Sequence, residues 1–205
     1  MKFDRYAKGY DAGWRGTKSA RFYDDLIKEL EIKPNDAVLD VGCGTGTVLH
    51  FIASNTPIRG YGLDVSAEML DVARRKNPGF DFRLGDSKKL PYADSSMDVI
   101  MACMAYHHFS DQKGFREEAR RVLKPNGRLY ICDPRFPWMS EPFSIPASRK
   151  PDSAQPGETP PISRKADFRW KESQKTCTSR LWCCGGTNKH RTILHFSRTY
   201  RLPSR

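Results

Sequence analysis

The segment 42–46, with the sequence GCGTG, follows the apolar run 37–41 and precedes a predicted helix that starts at Thr47. Glycines at alternate positions let the backbone turn sharply and let a ligand approach the main chain without meeting a Cβ atom. The helix N-terminus would add free N–H groups and a partial positive charge. The segment therefore predicts a nucleotide-type binding site, and a glycine-rich turn without a ligand is the alternative.

Polar residues also follow the next two predicted strands. Asp64 stands 18 positions beyond Gly46, directly after the second strand, and Asp86 with Ser87 follows the third. The two oxygens of Asp64 are suited to accept hydrogen bonds from the two hydroxyls of a ribose. Asp86 could accept one from an exocyclic amine such as that of adenine. A helix cap is the alternative role for Asp64, although Ser66 competes for it.

Two neighbouring histidines, His107 and His108, follow the fourth predicted strand. Imidazole titrates near neutral pH, so either ring could act as a general base, and the alternative is that both pack or cap the next segment. The three cysteines at strand ends, Cys43, Cys103 and Cys132, allow a soft-metal site as an alternative, but small side chains filling a crowded sheet edge are far more common. We therefore expect no metal.

Strands alternate with helices along the first two thirds of the chain. A helix at 17–31 precedes strands that we predict at 37–41, 59–63, 80–84, 97–102 and 128–132, with helices at 47–54, after Ser66 and at 115–123 and a turn at 124–127. This alternation predicts an α/β fold with a Rossmann-like, doubly wound, mostly parallel sheet. The carboxyl ends of parallel strands meet at one edge of such a sheet, so the polar residues named above should share one crevice.

The 205 residues carry 35 Lys and Arg against 24 Asp and Glu, a net charge of +11. Residues 1–140 hold 22 basic and 19 acidic residues, which leaves 13 and 5 for residues 141–205. We therefore predict a folded domain over 1–140 and a basic, Pro/Ser-rich tail over 141–205 that is weakly ordered or atypical, with one strand at 192–200. No apolar run reaches the length of a membrane span, and without the apolar stretch of a secretory signal we expect a cytoplasmic location.

Four motifs in order, VLDVGCGTGTVL, YGLDVSAEML, FRLGDSKKLPYADSSMDVIMACMAYHHF and LKPNGRLYICD, resemble class I S-adenosylmethionine-dependent methyltransferases. The likeness covers about residues 1–134 and is strongest to the ubiquinone and menaquinone biosynthesis type. That family continues with an antiparallel strand pair, of which this chain shows at most one strand, so the resemblance implies an incomplete C-terminal strand pair here. It implies S-adenosylmethionine as cofactor and a small-molecule methyl acceptor. In that subgroup an N-terminal segment folds over the cofactor, a role that would fall here to Tyr6 and Tyr10.

The resemblance also assigns roles by position. Gly42, Cys43 and Gly44 would contact the methionyl part, Asp64 the ribose, and Met69 with Asp86 and Ser87 the adenine. Ala102, Cys103 and Met104 would form the floor beneath the sulfonium. The full predicted cofactor-binding set is Tyr10, Asp40, Gly42, Cys43, Gly44, Gly46, Asp64, Val65, Met69, Asp86, Ser87, Ala102 and Cys103. His107 and His108 are the candidate catalytic residues.

Two other functions stay open at this stage. A nucleotide-binding oxidoreductase would share the fold, but its usual third glycine comes one residue early here, at Gly46, and no Tyr-x-x-x-Lys pair occurs in the chain. An RNA methyltransferase could use the basic tail to hold phosphates. The sequence at 101–104, MACM, departs from the Asn/Asp-Pro-Pro-aromatic motif of enzymes that methylate base amines.

Overall fold

The computed structural model describes residues 4–134, 168–177 and 191–200. Short 3-10 helices span Asp4–Gly9 and Tyr106–His108. The four α-helices are α1 (Trp14–Glu29), α2 (Thr47–Asn55), α3 (Ala67–Lys76) and α4 (Gln112–Val122). The strands are β1 (Ala37–Val41), β2 (Arg59–Asp64), β3 (Asp81–Leu84), β4 (Met97–Cys103), β5 (Leu123–Pro134), β6 (Phe168–Cys177) and β7 (Arg191–Tyr200).

The strands form one sheet in the order β3-β2-β1-β4-β5-β7-β6. β1 to β5 are parallel, and β7 joins β5 in the antiparallel direction. This confirms the predicted Rossmann-like, doubly wound fold. The order reverses at β1, where β2 lies on one side and β4 on the other, and ligands of open α/β sheets bind at such a switch point.

The expectation of an incomplete C-terminal strand pair is wrong. β6 pairs with β7 along its whole length, from Phe168 opposite Tyr200 to Cys177 opposite Arg191. β6 escaped prediction because its sequence, FRWKESQKTC, has no sustained alternation of apolar and polar residues. Such alternation is not required of a strand at the edge of a sheet. The predicted domain boundary near residue 140 and the order of the rest of the tail lie outside the described residues.

The core lies on both faces of the sheet. β1 is buried at all five positions, which explains why four of its five residues are apolar and Asp40 is the exception. Leu39 packs in a cluster with Phe115 of α4, and its neighbour Val38 packs in a second cluster with Leu26 of α1 and Leu49 of α2. Successive side chains of a strand point to opposite faces, so the helices cover the sheet from both sides.

Two local predictions need correction. The predicted turn at 124–127 lies within β5, where Asn126 adopts a φ of +63° and the pairing jumps from Met97 opposite Leu123 to Val99 opposite Arg128. The extra residues are thus accommodated as an irregularity of the strand. The third strand, predicted at 80–84, begins at Asp81, and its Leu84 is 60% exposed.

The predicted cap at Ser66 is confirmed, since its Oγ accepts a hydrogen bond from the Met69 N–H. None of the helices in the described part of the chain has the length and apolar character to cross a membrane.

Candidate functional site

A cavity of about 450 Å³ opens at the carboxyl ends of β1 to β4. Its size lies within the range of small-molecule sites. One side, here called the acidic wall, comprises Gly42, Gly44, Asp64, Asp86 and Ser87. The lining residues that follow β4, here called the histidine wall, are Met104, Ala105, His107, His108 and Phe109. Parallel strands therefore bring three predicted polar turns and both predicted histidines to one place.

The carboxylate of Asp64 is fixed by the main chain. Its Oδ2 accepts a hydrogen bond from the Gly44 N–H at 2.8 Å, and its Oδ1 accepts one from the Ser66 N–H at 2.9 Å. Burial raises the pKa of Asp64, and these backbone hydrogen bonds partly offset that rise. Each oxygen keeps capacity to accept another hydrogen bond, so the side chain is held ready for a ligand with two hydroxyls.

A second carboxyl, Asp40, lies behind the acidic wall. Burial, and then the charge of Asp64, raise the pKa of Asp40 to about 8. Its Oδ1 has no hydrogen-bond partner within the residues that the structure describes. Asp40 does not itself line the cavity. The charge of Asp64 disfavours ionisation of Asp40, so the buried carboxyl favours its neutral form below that pKa.

Two glycines shape the acidic wall in different ways. Gly42 has a φ of +78°, and a Cβ atom there would lie 2.4 Å from the Cβ of Ala105, so its lack of a side chain lets the two walls touch. Gly44 has a φ of +52°, and a Cβ atom there would meet no heavy atom within 4 Å. The space beside Gly44 thus leaves its main chain open to a ligand.

The histidine wall is built on a turn with an uncommon backbone. Met104 follows β4 with a φ of +56°, a left-handed conformation that costs a residue with a side chain ~1–2 kcal/mol. Its N–H donates to the carbonyl of Cys132 at 2.8 Å, which ties the turn to β5. Sequence reasoning missed Ala105 and Phe109 on this wall, although their position directly after a buried strand was a usable signal.

His107 is held by an acidic residue that was not predicted for the site. Its backbone N–H donates to Oδ2 of Asp133 at 2.7 Å, and its ring Nδ1 lies 3.2 Å from Asp133 Oδ1. Asp133 is 1% exposed. The ring centroids of His107 and His108 are 3.8 Å apart.

The other predicted cofactor-binding residues divide into two groups. Tyr10, Val65 and Met69 line the cavity. Cys43, Gly46, Ala102 and Cys103 do not: three are core residues, and Gly46 packs against α3, where a Cβ atom would lie 2.8 Å from Asn77 Nδ2. Burial raises the pKa of both the Cys43 and Cys103 thiols. No cluster that could bind a metal ion occurs among the His, Cys, Asp and Glu side chains that the structure describes.

The N-terminal segment is joined to the starts of α2 and α3. Asp4 accepts a hydrogen bond from the Ser66 hydroxyl at 2.6 Å. Asp11 accepts hydrogen bonds from the hydroxyls of Thr45 and Thr47 at 2.7 and 3.0 Å, and the Lys76 ammonium lies 2.6 Å from its other oxygen. These contacts bring Tyr10, between the two aspartates, to the cavity. Tyr6, also predicted there, is outside the lining.

Residues 39–131 match a family model described as a methyltransferase domain. The demethylmenaquinone methyltransferase of Chlorobaculum parvum is 37% identical over 131 residues, covering 63% of this chain and 52% of that protein. That of Thermotoga maritima is 37% identical over 138 residues, covering 64% of this chain and 59% of that protein. The chain thus spans little more than half the length of these relatives.

Solved structures share the fold. A chain of the complex between the Haloferax volcanii Trm112 methyltransferase activator and a methyltransferase matches with a TM-score of 0.59 and 29% identity, over 64% of this chain and 60% of that chain. The [4+2]-cyclase SpnF matches with a TM-score of 0.53 and 28% identity, over 60% and 47%. Proteins with this fold thus catalyse different reactions, and the residues of the site determine which one.

Proposed function

We propose that this chain is a class I S-adenosylmethionine-dependent methyltransferase and that it transfers a methyl group from S-adenosylmethionine to a small aromatic acceptor; the methyltransferase-domain match over residues 39–131 and the similarity to methyltransferase-named relatives support this. The observation that carries the proposal is the convergence of the acidic wall and the histidine wall on one cavity. The first wall offers carboxylates and open main chain to a cofactor, and the second offers apolar surface and imidazole to an acceptor.

The charge of the cavity supports a cationic cofactor. Asp64 and Asp86 line it, and none of the described lining residues is Lys or Arg. Asp11 already occupies the start of α2, through the hydroxyls of Thr45 and Thr47. A dinucleotide pyrophosphate would therefore find that position taken by a carboxylate, whereas a sulfonium in the cavity would meet the carboxylates of Asp64 and Asp86.

The residues present fit S-adenosylmethionine, part by part. Asp64 would hold the ribose hydroxyls with the lone pairs left free by Gly44 and Ser66. Asp86 and Ser87 would bind the adenine edge, and the open space beside Gly44 would admit the methionyl part. When bound, the cofactor supplies a methyl group already activated on a sulfonium. The protein then has mainly to hold the acceptor in line, and positioning of that kind supplies up to ~7–11 kcal/mol.

The acceptor would lie against the histidine wall. Met104, Ala105 and Phe109 give this wall an apolar surface that suits a flat ring. The relatives named as demethylmenaquinone methyltransferases, as their name states, act on a quinone precursor. We therefore propose a quinone precursor or a related phenol as the acceptor class.

Calorimetry with S-adenosylmethionine, S-adenosylhomocysteine and NADH tests the cofactor. We expect the first two to bind and NADH not to bind. Asp64→Asn should weaken binding by ~1.5–3 kcal/mol, about 10- to 150-fold in Kd, because the charged acceptor of the ribose hydrogen bonds is lost. Asp71→Asn, which removes an exposed carboxylate of α3 that pairs with Arg74, is the matched control and should bind like the wild type.

Transfer of a labelled methyl group to quinone precursors, phenols, amines and RNA then tests the reaction. Label in a phenolic product supports the proposed acceptor class. Label in RNA alone would replace that class, and NADH binding without S-adenosylmethionine binding would overturn methyl transfer itself.

A further inference from the structure

One buried carboxylate accepts a hydrogen bond from the main chain of His107 and lies beside its ring. Asp133 Oδ2 accepts the His107 N–H at 2.7 Å, and Asp133 Oδ1 lies 3.2 Å from the ring Nδ1. Asp133 is 1% exposed, so solvent does not reach this contact. Nδ1 and Oδ1 are within hydrogen-bonding distance but not yet aligned. Catalytic pairs often have such geometry before substrate binds, and they tighten afterwards.

His107 also lines the cavity. Its Nδ1 atom is buried, whereas its side chain as a whole keeps 14% exposure. The exposed part therefore lies among the other side-chain atoms, which include Nε2. A carboxylate beside Nδ1 favours the tautomer with the proton on Nδ1, which leaves a lone pair on Nε2.

We propose that Asp133 is a positioning residue that holds His107 with its proton on Nδ1, so that Nε2 accepts a proton from an acceptor with an ionisable, phenol-type hydroxyl. This deepens the proposed function and rests on it. His107 would be the catalytic base, because its Nδ1 lies beside the buried carboxylate of Asp133. The function of Asp133 would be to set the tautomer and the ring orientation.

The proposed step balances. Nε2 takes the hydroxyl proton, and the electron pair of the broken O–H bond stays on the oxygen. That oxygen forms a bond to the methyl carbon, while the pair of the broken carbon–sulfur bond leaves with the sulfur as a neutral thioether. His107 ends the step protonated on both nitrogens, stabilised by the negative charge of Asp133.

Nitrogen-15 NMR of the imidazole rings tests the pair without any acceptor. We expect wild-type His107, assigned by its loss in His107→Gln and measured at a pH where the ring is neutral, to carry its proton on Nδ1. Asp133→Asn should shift the proton toward Nε2, because the amide can donate to Nδ1. His108→Gln is the matched control and should leave the His107 tautomer unchanged. Wild-type His107 with its proton on Nε2 would overturn the proposal whether or not any variant folds.

Turnover of a phenolic acceptor gives the second readout. We expect His107→Gln and Asp133→Asn each to lower kcat about 10²-fold or more with S-adenosylhomocysteine affinity unchanged, and the double variant to be no slower than His107→Gln alone. Unchanged kcat in either single variant, or additive losses in the double variant, would contradict the proposal that Asp133 acts through His107. Failure of wild-type protein to bind S-adenosylhomocysteine would instead contradict the proposed function, and the tautomer measurement would still decide the pair.

Discussion

The two walls of the cavity are held in place by different means. On the acidic wall, main-chain N–H groups fix the carboxylate of Asp64, and glycines leave the backbone accessible. On the histidine wall, a left-handed residue, Met104, turns the chain across the cavity, and a buried carboxylate holds His107. The first arrangement depends on neighbouring loops, and the second on contacts between β4 and β5.

The acidic wall is therefore suited to recognise one ligand, and the histidine wall is suited to vary its acceptor. A wall built of backbone N–H groups and carboxylates at strand ends recognises one charged, hydroxyl-rich ligand and leaves little freedom to change it. A wall built of side chains on a turn can change its acceptor by substitution while the sheet stays the same. The similarity to a [4+2]-cyclase agrees with this division, since the fold persists where the named chemistry differs.

The walls meet at Gly42, and a methyl group there should separate them. We expect Gly42→Ala to lower the free energy of unfolding by ~2–5 kcal/mol, the sum of a left-handed backbone penalty and of overpacking against Ala105. Urea unfolding measures this. Gly79→Ala is the matched control, because Gly79 also has a positive φ, +94°, but a Cβ atom there would meet nothing within 4 Å. If both variants lost the same free energy of unfolding, the close contact between Gly42 and Ala105 would not contribute to the loss.

The same division explains what could be predicted from the sequence. Glycine spacing and carboxylates after strands are local signals, so the sequence alone predicts that Gly42, Gly44, Asp64 and Asp86 lie at one crevice. The contact of His107 with Asp133 is not local, because it requires β5 to lie beside β4 and Met104 to adopt a left-handed conformation. No pattern in the sequence predicts either condition.

The N-terminal contacts and β6 could not be predicted, for related reasons. Asp11 meets Thr45 and Lys76 across 34 and 65 positions of sequence, and pairing between such distant residues leaves no periodic pattern. β6 is defined by its ladder with β7 rather than by its own composition. Asp40, Cys43, Gly46, Ala102 and Cys103 show the opposite limit: a motif identifies a segment, but packing decides which of its side chains reach the cavity.

The buried carboxyl behind the acidic wall should make stability depend on pH. Burial and the charge of Asp64 raise the pKa of Asp40 to about 8 from an unfolded value of 3.8, so the folded protein binds more protons than the unfolded chain between these values. The contribution of Asp40 to stability therefore falls as pH rises from about 4 to about 8, by up to ~1.4 kcal/mol per pH unit.

Urea unfolding at several pH values checks this expectation. In Asp40→Asn the free energy of unfolding should fall less steeply between about pH 4 and pH 8. The stability of this variant relative to the wild type should therefore increase as pH rises toward 8. Asp24→Asn, at an exposed position of α1, should keep the wild-type slope. Parallel curves for wild type and Asp40→Asn would mean that Asp40 is ionised in the folded protein across the window.

The smallest expected effect concerns the segment that closes the edge of the cavity. Asp11 is 41% exposed and Lys76 23%, so solvent screens their ion pair and its loss should cost only ~0.5–1 kcal/mol. Tyr10 lies next to Asp11 and lines the cavity, so Asp11→Asn should loosen this segment and release S-adenosylhomocysteine a few-fold faster in stopped-flow displacement. Asp94→Asn, which breaks an exposed ion pair with Arg121 far along the chain, should leave release unchanged. If Asp11→Asn released the ligand at the wild-type rate, the two walls alone would control ligand exit, and the N-terminal segment would serve only to cover α3.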